Sequence, residues 1–158
     1  MRLITTALLF SLAPALGFGQ QSNGYLFVAP GQLHASGFSQ TTLQVGLGGE
    51  YVIRNSGIGV GGEFSALGPT SDFSAAVGVA SLNGYYHFAR TRGHRLDPFI
   101  TGGYSVLFRS GHLNTGNFGG GVNWWFRPHI GLRLEFRDHV HSDGGAAHWW
   151  GVRFGIAF

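Results

Sequence analysis

The sequence predicts an all-β fold, an eight-stranded antiparallel up-and-down barrel that crosses a membrane and has short turns. Three observations lead to this prediction. Large apolar side chains recur at every second position along segments of about ten residues, which is the period of a β-strand. Charged residues make up only 11% of the chain, against about 25% in a typical soluble domain. After the N-terminal segment, no apolar run reaches the roughly 20 residues that a membrane helix needs.

The first 19 residues have the features of a cleaved secretory signal peptide. Arg2 supplies the charged region, residues 3–12 form the apolar core, and Pro14 is followed by small residues. We expect cleavage before Gln20, so that residues 20–158 form one outer-membrane barrel domain. A second possible cut is offered by two earlier small residues, Ala13 and Ala15.

The rest of the chain divides into eight strands separated by turn residues. The predicted strands cover residues 24–34, 42–53, 57–67, 76–88, 99–108, 115–126, 130–140 and 149–158. The first is the least regular, because Pro30 lies inside it and proline cannot donate a ladder hydrogen bond. Residues that favour turns fall between the strands: Asn55 and Ser56, Gly68 and Pro69, Asp97 and Pro98, and Pro128. Eight antiparallel strands can close without leaving a free edge.

From the second strand onwards, the large apolar side chains of each strand share one face. In the second, third and fourth strands this face carries Leu43, Val45, Leu47, Tyr51, Ile53, Val60, Phe64, Ala66, Leu82, Tyr86 and Phe88. In the fifth, sixth and seventh it carries Ile100, Tyr104, Val106, Phe108, Phe118, Val122, Trp124, Phe126, Leu132, Leu134 and Phe136. The eighth strand has Trp150, Val152, Phe154, Ile156 and Phe158 on this face and Trp149, Gly151, Arg153, Gly155 and Ala157 on the other. The opposite faces are mostly glycine, serine and asparagine with a few charges.

Alternation alone does not decide which face lies inside, because a soluble lipid-binding barrel has the same pattern inverted. Two observations favour an apolar exterior. The polar faces are too sparse for a water-exposed surface, and aromatic residues cluster towards both strand ends, as in the interfacial girdles of membrane barrels. We therefore expect lipid outside the barrel, and a soluble periplasmic lipid-binding barrel is the alternative.

The charged residues of the polar faces are expected inside, since an arginine that faces lipid at mid-bilayer costs about 2–4 kcal/mol. The predicted lumen network consists of Glu50, Glu63, Arg133, Glu135, Arg137 and Arg153. Closing the last hairpin around residues 142–146 predicts that Glu135 lies opposite Arg153. Eight-stranded interiors are normally filled. We therefore interpret the network as structural Arg–Glu pairs among small residues, with no open pore, rather than as an ion path.

Two sequence segments resemble those of a known family. They are the glycine-rich residues 117–124 and the alternating residues 132–137, followed by an aromatic last strand that ends in Phe158. Over about residues 24–158 the chain resembles the OmpA/OmpX-like outer-membrane beta-barrel domain family of bacteria. The resemblance implies a bacterial outer-membrane location among outer-membrane lipids, and the barrel-assembly machinery as a partner during biogenesis. It also implies that the C-terminal assembly signal consists of Phe154, Ile156 and Phe158.

Five polar residues lie around the last predicted outer loop and could form a site for chemistry: Asp138, His139, His141, Asp143 and His148. Histidine and aspartate are good metal ligands. The chain has no Cys and the cluster has no defined ligand spacing, so we interpret it as a hydrated rim and predict no metal. His141, Ser142 and Asp143 are the residue types of a hydrolase, but adjacent strand residues point to opposite faces and would not readily share a proton. We predict no catalytic residue, and a lipid-modifying enzyme on the same fold is the alternative.

These features predict an integral outer-membrane protein with a structural or interaction role that is not an enzyme. No cofactor is expected, and the absence of Cys excludes thiol chemistry. The formal net charge of +3 comes without a dense basic patch, so nucleic acid is not expected as a partner. The longest basic run lies in a predicted turn and is interpreted as solvated: Arg90, Arg92, His94 and Arg95. We expect a monomer.

Overall fold

The computed structural model describes residues 22–35, 37–53, 56–88, 95–141 and 147–158. The predicted signal peptide, residues 1–19, lies outside the described residues. So do three members of the basic run and one predicted turn residue, namely Arg90, Arg92, His94 and Asn55. In the part of the chain that is described, no helix is long and apolar enough to cross a bilayer.

Eight antiparallel strands form one closed sheet, in which each strand pairs with its sequence neighbours and the last pairs with the first. They are β1 (Ser22–Ala35), β2 (Phe38–Val52), β3 (Ile58–Pro69), β4 (Val77–His87), β5 (Leu96–Phe108), β6 (His112–Arg127), β7 (Ile130–His141) and β8 (Ala147–Ala157). A short 3-10 helix, Phe73–Ala75, lies in the β3–β4 connection. The predicted eight-stranded antiparallel up-and-down barrel is confirmed. β2 begins four residues earlier than predicted, because its ladder with β1 continues to Phe38.

The barrel has two ends that differ in their connections. The terminal end holds Ser22 and Phe158 together with the β2–β3, β4–β5 and β6–β7 connections. The loop end holds the β1–β2, β3–β4, β5–β6 and β7–β8 connections. At the terminal end, Gly24 and Phe158 exchange backbone hydrogen bonds of 2.7 and 2.8 Å. These bonds extend the pairing of the first and last strands, which closes the barrel.

Side-chain exposure alternates along the strands in the predicted sense. Leu134 of β7 is 46% exposed on the outer surface, whereas its neighbour Arg133 is only 3% exposed. On β8, Phe154 is exposed and Trp149 is buried. The apolar face therefore points outward and the charged face points inward. This is the reverse of a soluble lipid-binding barrel, and the burial of the described residues contradicts that alternative.

Three of the described prolines lie in strands. Gly68 and Pro69, which were predicted to form a loop, instead end β3, where Pro69 pairs with Thr42. Pro30 pairs with Leu43 of β2, while the β1–β8 ladder is interrupted at Pro30. Asp97 and Pro98 belong to β5, so the turn predicted there is wrong. The Pro98 carbonyl accepts a hydrogen bond from the Phe88 N–H at 3.0 Å, just beyond the end of β4. Proline has no N–H to return this bond, but β4 has already ended at His87, and proline is tolerated near such strand ends.

Large inward side chains lie opposite glycines. Tyr25 pairs with Gly48, and Trp125 pairs with Gly131. A Cβ atom at Gly48 would lie 2.5 Å from the Tyr25 side chain, and one at Gly131 would lie 2.9 Å from the Trp125 ring. The interior of an eight-stranded barrel is narrow, so a ring fits only where the opposite residue has no side chain. The Trp125 ring packs against a cluster formed by Tyr25, Phe27, Ala29 and Ala157.

Candidate functional site: a filled polar lumen

The six residues of the predicted lumen network all lie inside the barrel, and each is at most 3% exposed. β2 supplies Glu50, β3 supplies Glu63, and β8 supplies Arg153. β7 supplies the other three on one face, because side chains two residues apart point the same way: Arg133, Glu135 and Arg137. With three arginines and three carboxylates, the formal charges of the set cancel.

Glu135 is the centre of this network. It accepts a hydrogen bond from Arg133 Nε at 3.0 Å and pairs with Arg137 Nη2 at 2.5 Å. Arg153 Nη1 lies 3.6 Å from Glu135 Oε1, and the two residues are opposite each other in the β7–β8 ladder. The predicted cross-strand contact is therefore confirmed. The shorter contact of Arg153 is with Glu63 Oε2 at 2.8 Å, on the other side of the lumen.

Glu63 connects this centre to buried tyrosines. Its Oε2 atom accepts hydrogen bonds from Arg153 and, at 3.0 Å, from the Tyr25 hydroxyl. Arg137 Nη1 lies 3.6 Å from the same oxygen. The Tyr25 and Tyr85 hydroxyls are 3.0 Å apart. Both tyrosines were absent from the predicted network, although each lies on the inward face of its strand.

Glu50 extends the network towards the terminal end. Its Oε2 atom lies 3.5 Å from Arg133 Nη1, and its Oε1 atom lies 3.6 Å from His87 Nε2. His87 Nδ1 in turn lies 2.8 Å from Asp97 Oδ2. The sequence analysis missed this His87–Asp97 pair, because it assigned Asp97 to a turn. The residue alternation of β4 would have placed His87 inside.

Aromatic rings and amides fill the space around the guanidinium groups. Arg133 Cζ lies 4.1 Å from the centre of the Phe99 ring and 4.3 Å from that of Tyr25, which is the geometry of a cation–π contact. The amide oxygen of Asn83 faces Arg137 and accepts a hydrogen bond from Arg137 Nη1 at 2.9 Å. The amide nitrogen of Asn83 donates a hydrogen bond to Asn117 Oδ1 at 3.1 Å. The charged layer is thus enclosed by side chains that solvate it in place of water.

Towards the loop end the lumen contains an apolar cluster. It is formed by the buried side chains of Leu67, Val79 and Trp149. The Trp149 ring stacks on the buried His139 ring with centroids 3.9 Å apart and an interplanar angle of 9°. The lumen is therefore occupied along its length by a terminal-end aromatic cluster, a charged middle layer and this apolar layer.

Of the five polar residues around the last loop, the four that the structure describes do not gather into one site. His139 points into the lumen, whereas His148 Nδ1 lies 3.4 Å from Asp138 Oδ2. His141 Nδ1 lies 2.8 Å from the backbone oxygen of Asn114. Within the described residues, no three histidine, aspartate or glutamate side chains are grouped so that they could hold a metal. Ser142 and Asp143 lie outside the described residues.

The last strand presents its predicted assembly-signal residues on the outer surface. Phe154, Ile156 and Phe158 are 53%, 53% and 55% exposed. Phe158 also covers Gly24 of β1, because a Cβ atom there would lie 2.7 Å from the Phe158 ring. This aromatic residue therefore contributes to barrel closure as well as to the apolar exterior.

Comparison with known proteins gives matches in structure only. No family model and no curated protein matches the sequence. The fold is similar to that of the neisserial surface protein NspA, with a TM-score of 0.70 and 10% identity over 86% of this chain and 95% of that chain. It is also similar to the N-terminal β-barrel domain of Pseudomonas aeruginosa OprF, with a TM-score of 0.60 and 17% identity over 88% and 100% of the two chains. The outer membrane enzyme PagL has a TM-score of 0.54 and 14% identity over 83% and 97%. The predicted resemblance to OmpA/OmpX-like eight-stranded barrels is thus confirmed at the level of the fold.

Proposed function

We propose that this protein is an integral barrel of the bacterial outer membrane with a structural or interaction role and no open pore. The observation that carries the proposal is the distribution of polarity across the barrel wall. Leucine and phenylalanine side chains such as Leu82 and Phe64 are 64% and 63% exposed, while the Arg–Glu network is buried. An apolar surface of this extent is unfavourable in water and suits acyl chains.

The similar folds of solved membrane barrels support this assignment by analogy. The structurally similar proteins include an outer membrane enzyme and a barrel domain of a Gram-negative bacterium, but their identities to this chain are low. Fold alone does not establish function. The location therefore rests on the exposed apolar side chains, and the fold similarity is consistent with it.

The lumen supports a structural role for the network and argues against conduction. Its charged groups are paired with one another rather than arranged along a water-filled path. Removing one member of a buried ion network typically costs about 3–5 kcal/mol. We propose that the network sets the relative positions of β2, β3, β7 and β8, and that the protein acts as a monomer.

The last strand is proposed to direct assembly. Phe154 and Ile156 lie on one exposed face of β8, and the exposed Phe158 directly follows the strand, so another protein could bind these residues before closure with β1. We propose the barrel-assembly machinery as that reader. Replacing Phe158 with Ala should lower the yield of folded barrel in cells more strongly than it lowers the stability of barrel refolded in detergent.

Fractionation with heat-modifiable migration tests the proposed location. The protein is expressed with its N-terminal segment, and outer-membrane fractions are run on a gel with and without boiling. We expect the protein in the outer-membrane fraction, with unboiled material migrating faster than boiled material. Recovery in the soluble fraction without detergent would contradict the proposal.

A lipid-modifying enzyme is the second candidate. Its support is the fold shared with PagL and the outward-facing Asp138–His148 pair near the loop end. The test is incubation of the folded barrel with purified lipid A. We expect no modified product. Turnover that is abolished by His141→Ala or His148→Ala would favour the enzyme instead.

A further inference from the structure

Among the described residues, the guanidinium groups of two arginines make no ion pair and no hydrogen bond. The described residues include six arginines: Arg95, Arg109, Arg127, Arg133, Arg137 and Arg153. Three of these form the lumen ion pairs, and Arg109 donates to the backbone oxygens of Ala75 and Ser74 at 2.8 and 3.4 Å. Arg95 and Arg127 are exposed, and neither guanidinium has an ion pair or hydrogen bond to another described residue.

The backbone positions of these two arginines are near each other at the terminal end. The Arg95 carbonyl accepts a hydrogen bond from the Trp125 N–H at 2.7 Å, which joins it to β6. Arg127 ends β6 two residues later, and the exposed His129 lies in the β6–β7 turn. Arg95, Arg127 and His129 are called the basic rim. The nearby Asp97 does not neutralise it, because its carboxylate is half-buried and directed to His87.

The basic rim adjoins the outer apolar surface. Leu96 and Trp124 are paired in the β5–β6 ladder and are 56% and 47% exposed. Phe126 is 47% exposed and packs edge-on against Trp124, with ring centroids 6.4 Å apart. Exposed aromatic rings beside long cationic side chains are typical of the level at which lipid headgroups lie.

The loop end differs in its charge. Its described arginine, Arg109, is already bound to backbone carbonyls. Asp72 accepts a hydrogen bond from the Ser74 hydroxyl at 2.6 Å and another from the Ser74 N–H, and these bonds lower the pKa of the Asp72 carboxyl. Asp138 adds a second carboxylate near this end. Among the described residues, unpaired arginine is therefore confined to the terminal end.

We propose that the basic rim binds the phosphate groups of anionic phospholipids in the leaflet at the terminal end. The proposal rests on the membrane location proposed above. At headgroup level, the Arg95 and Arg127 side chains could each donate paired hydrogen bonds to phosphate oxygens. No described carboxylate competes for them. The neutral lipid phosphatidylcholine also carries a phosphate, but its choline cation would be repelled.

Quenching of tryptophan fluorescence by brominated lipids tests this proposal. The barrel carries Trp150→Phe, which removes the partly exposed outward tryptophan of β8 and leaves Trp124 as the one outward-facing tryptophan among the described residues. It is reconstituted in phosphatidylcholine vesicles that contain increasing fractions of brominated phosphatidylcholine or brominated phosphatidylglycerol. We expect the quenching curves to give brominated phosphatidylglycerol a relative binding constant roughly two- to fivefold higher than that of brominated phosphatidylcholine. This preference should disappear at about 1 M salt.

Two variants make the test specific. The double variant Arg95→Gln/Arg127→Gln should lower the preference to near unity. Arg109→Gln removes one arginine from the loop end and should leave the preference unchanged. Heat-modifiable migration checks that each variant is folded.

Equal quenching by the two lipids in the parent barrel would overturn the proposal, and so would an unchanged preference in the double variant. A folded barrel that neither brominated lipid quenches would instead overturn the membrane location, and the lipid site with it. Quenching by brominated phosphatidylcholine therefore separates failure of the lipid site from failure of the proposed function.

Discussion

Leu134 and Glu135 are adjacent in β7, yet the two faces of the strand impose different requirements. Glu135 contacts three arginines from two strands, and each contact has a defined distance. Leu134 is 46% exposed and needs only to be apolar. The inner face therefore constrains the identity and size of each side chain, whereas the outer face constrains only polarity. Substitutions that differ only in the face they occupy can test this difference.

The largest expected effect is that of Glu135→Ala. The substitution leaves three arginines short of a carboxylate in a closed lumen, which should cost about 3–5 kcal/mol of unfolding free energy. Denaturant unfolding in detergent micelles measures the change. Leu134→Ala on the same strand is the control and should cost less, because its site opens to lipid. An unchanged unfolding midpoint for Glu135→Ala would count against the network.

Placing a charge on the outer face should have the next largest effect. Leu134→Arg brings a guanidinium to lipid near the middle of β7, at a cost of about 2–4 kcal/mol in a bilayer. Leu134→Phe keeps the site apolar and should change stability little. Reversible unfolding from phospholipid vesicles measures both. Equal stability of the two variants would indicate that this face does not contact acyl chains.

Overpacking the inner face should cost somewhat less. In Gly48→Ala the new Cβ atom would lie 2.5 Å from the Tyr25 side chain, so the ring or the backbone must move. We expect a loss of about 1–3 kcal/mol. Combining the substitution with Tyr25→Leu should recover part of the loss, since the smaller side chain leaves room. If the stability losses of the two single substitutions simply add in the double variant, the glycine at position 48 is not needed to accommodate Tyr25.

The smallest effect is expected for a glycine on the outer face. A Cβ atom at Gly102 would have the Asn117 backbone oxygen at 3.6 Å as its nearest neighbour, which is ordinary contact. Because alanine has less conformational freedom to lose on folding, Gly102→Ala should change stability by at most about 1 kcal/mol, in the stabilising direction. The same micelle assay applies. A loss as large as that of Gly48→Ala would remove the distinction between the two faces.

Residue alternation predicted the strand number and which residues share a face. The sparse polar faces and the aromatic strand ends were needed to predict which face points outward and, with it, the burial of the lumen charges. Sequence order also predicted the Glu135–Arg153 contact, because partners in one hairpin follow from its turn. Contacts across the lumen, such as that between Arg153 and Glu63, depend on barrel diameter and strand stagger, which a linear pattern does not contain. Asp97 was misassigned because the adjacent Pro98 has the usual signal of a turn. In the barrel, Pro98 instead lies near the start of β5, opposite a point where β4 has already ended.

The outward orientation of the apolar face is the central claim, and spin labelling at Leu134 tests it most directly. The chain has no Cys, so Leu134→Cys gives a single attachment site for a nitroxide. In phospholipid vesicles we expect the label to collide more with oxygen, which concentrates in acyl chains, than with a water-soluble nickel reagent. More frequent collisions with the nickel reagent in the folded barrel would place this face in water and contradict the account.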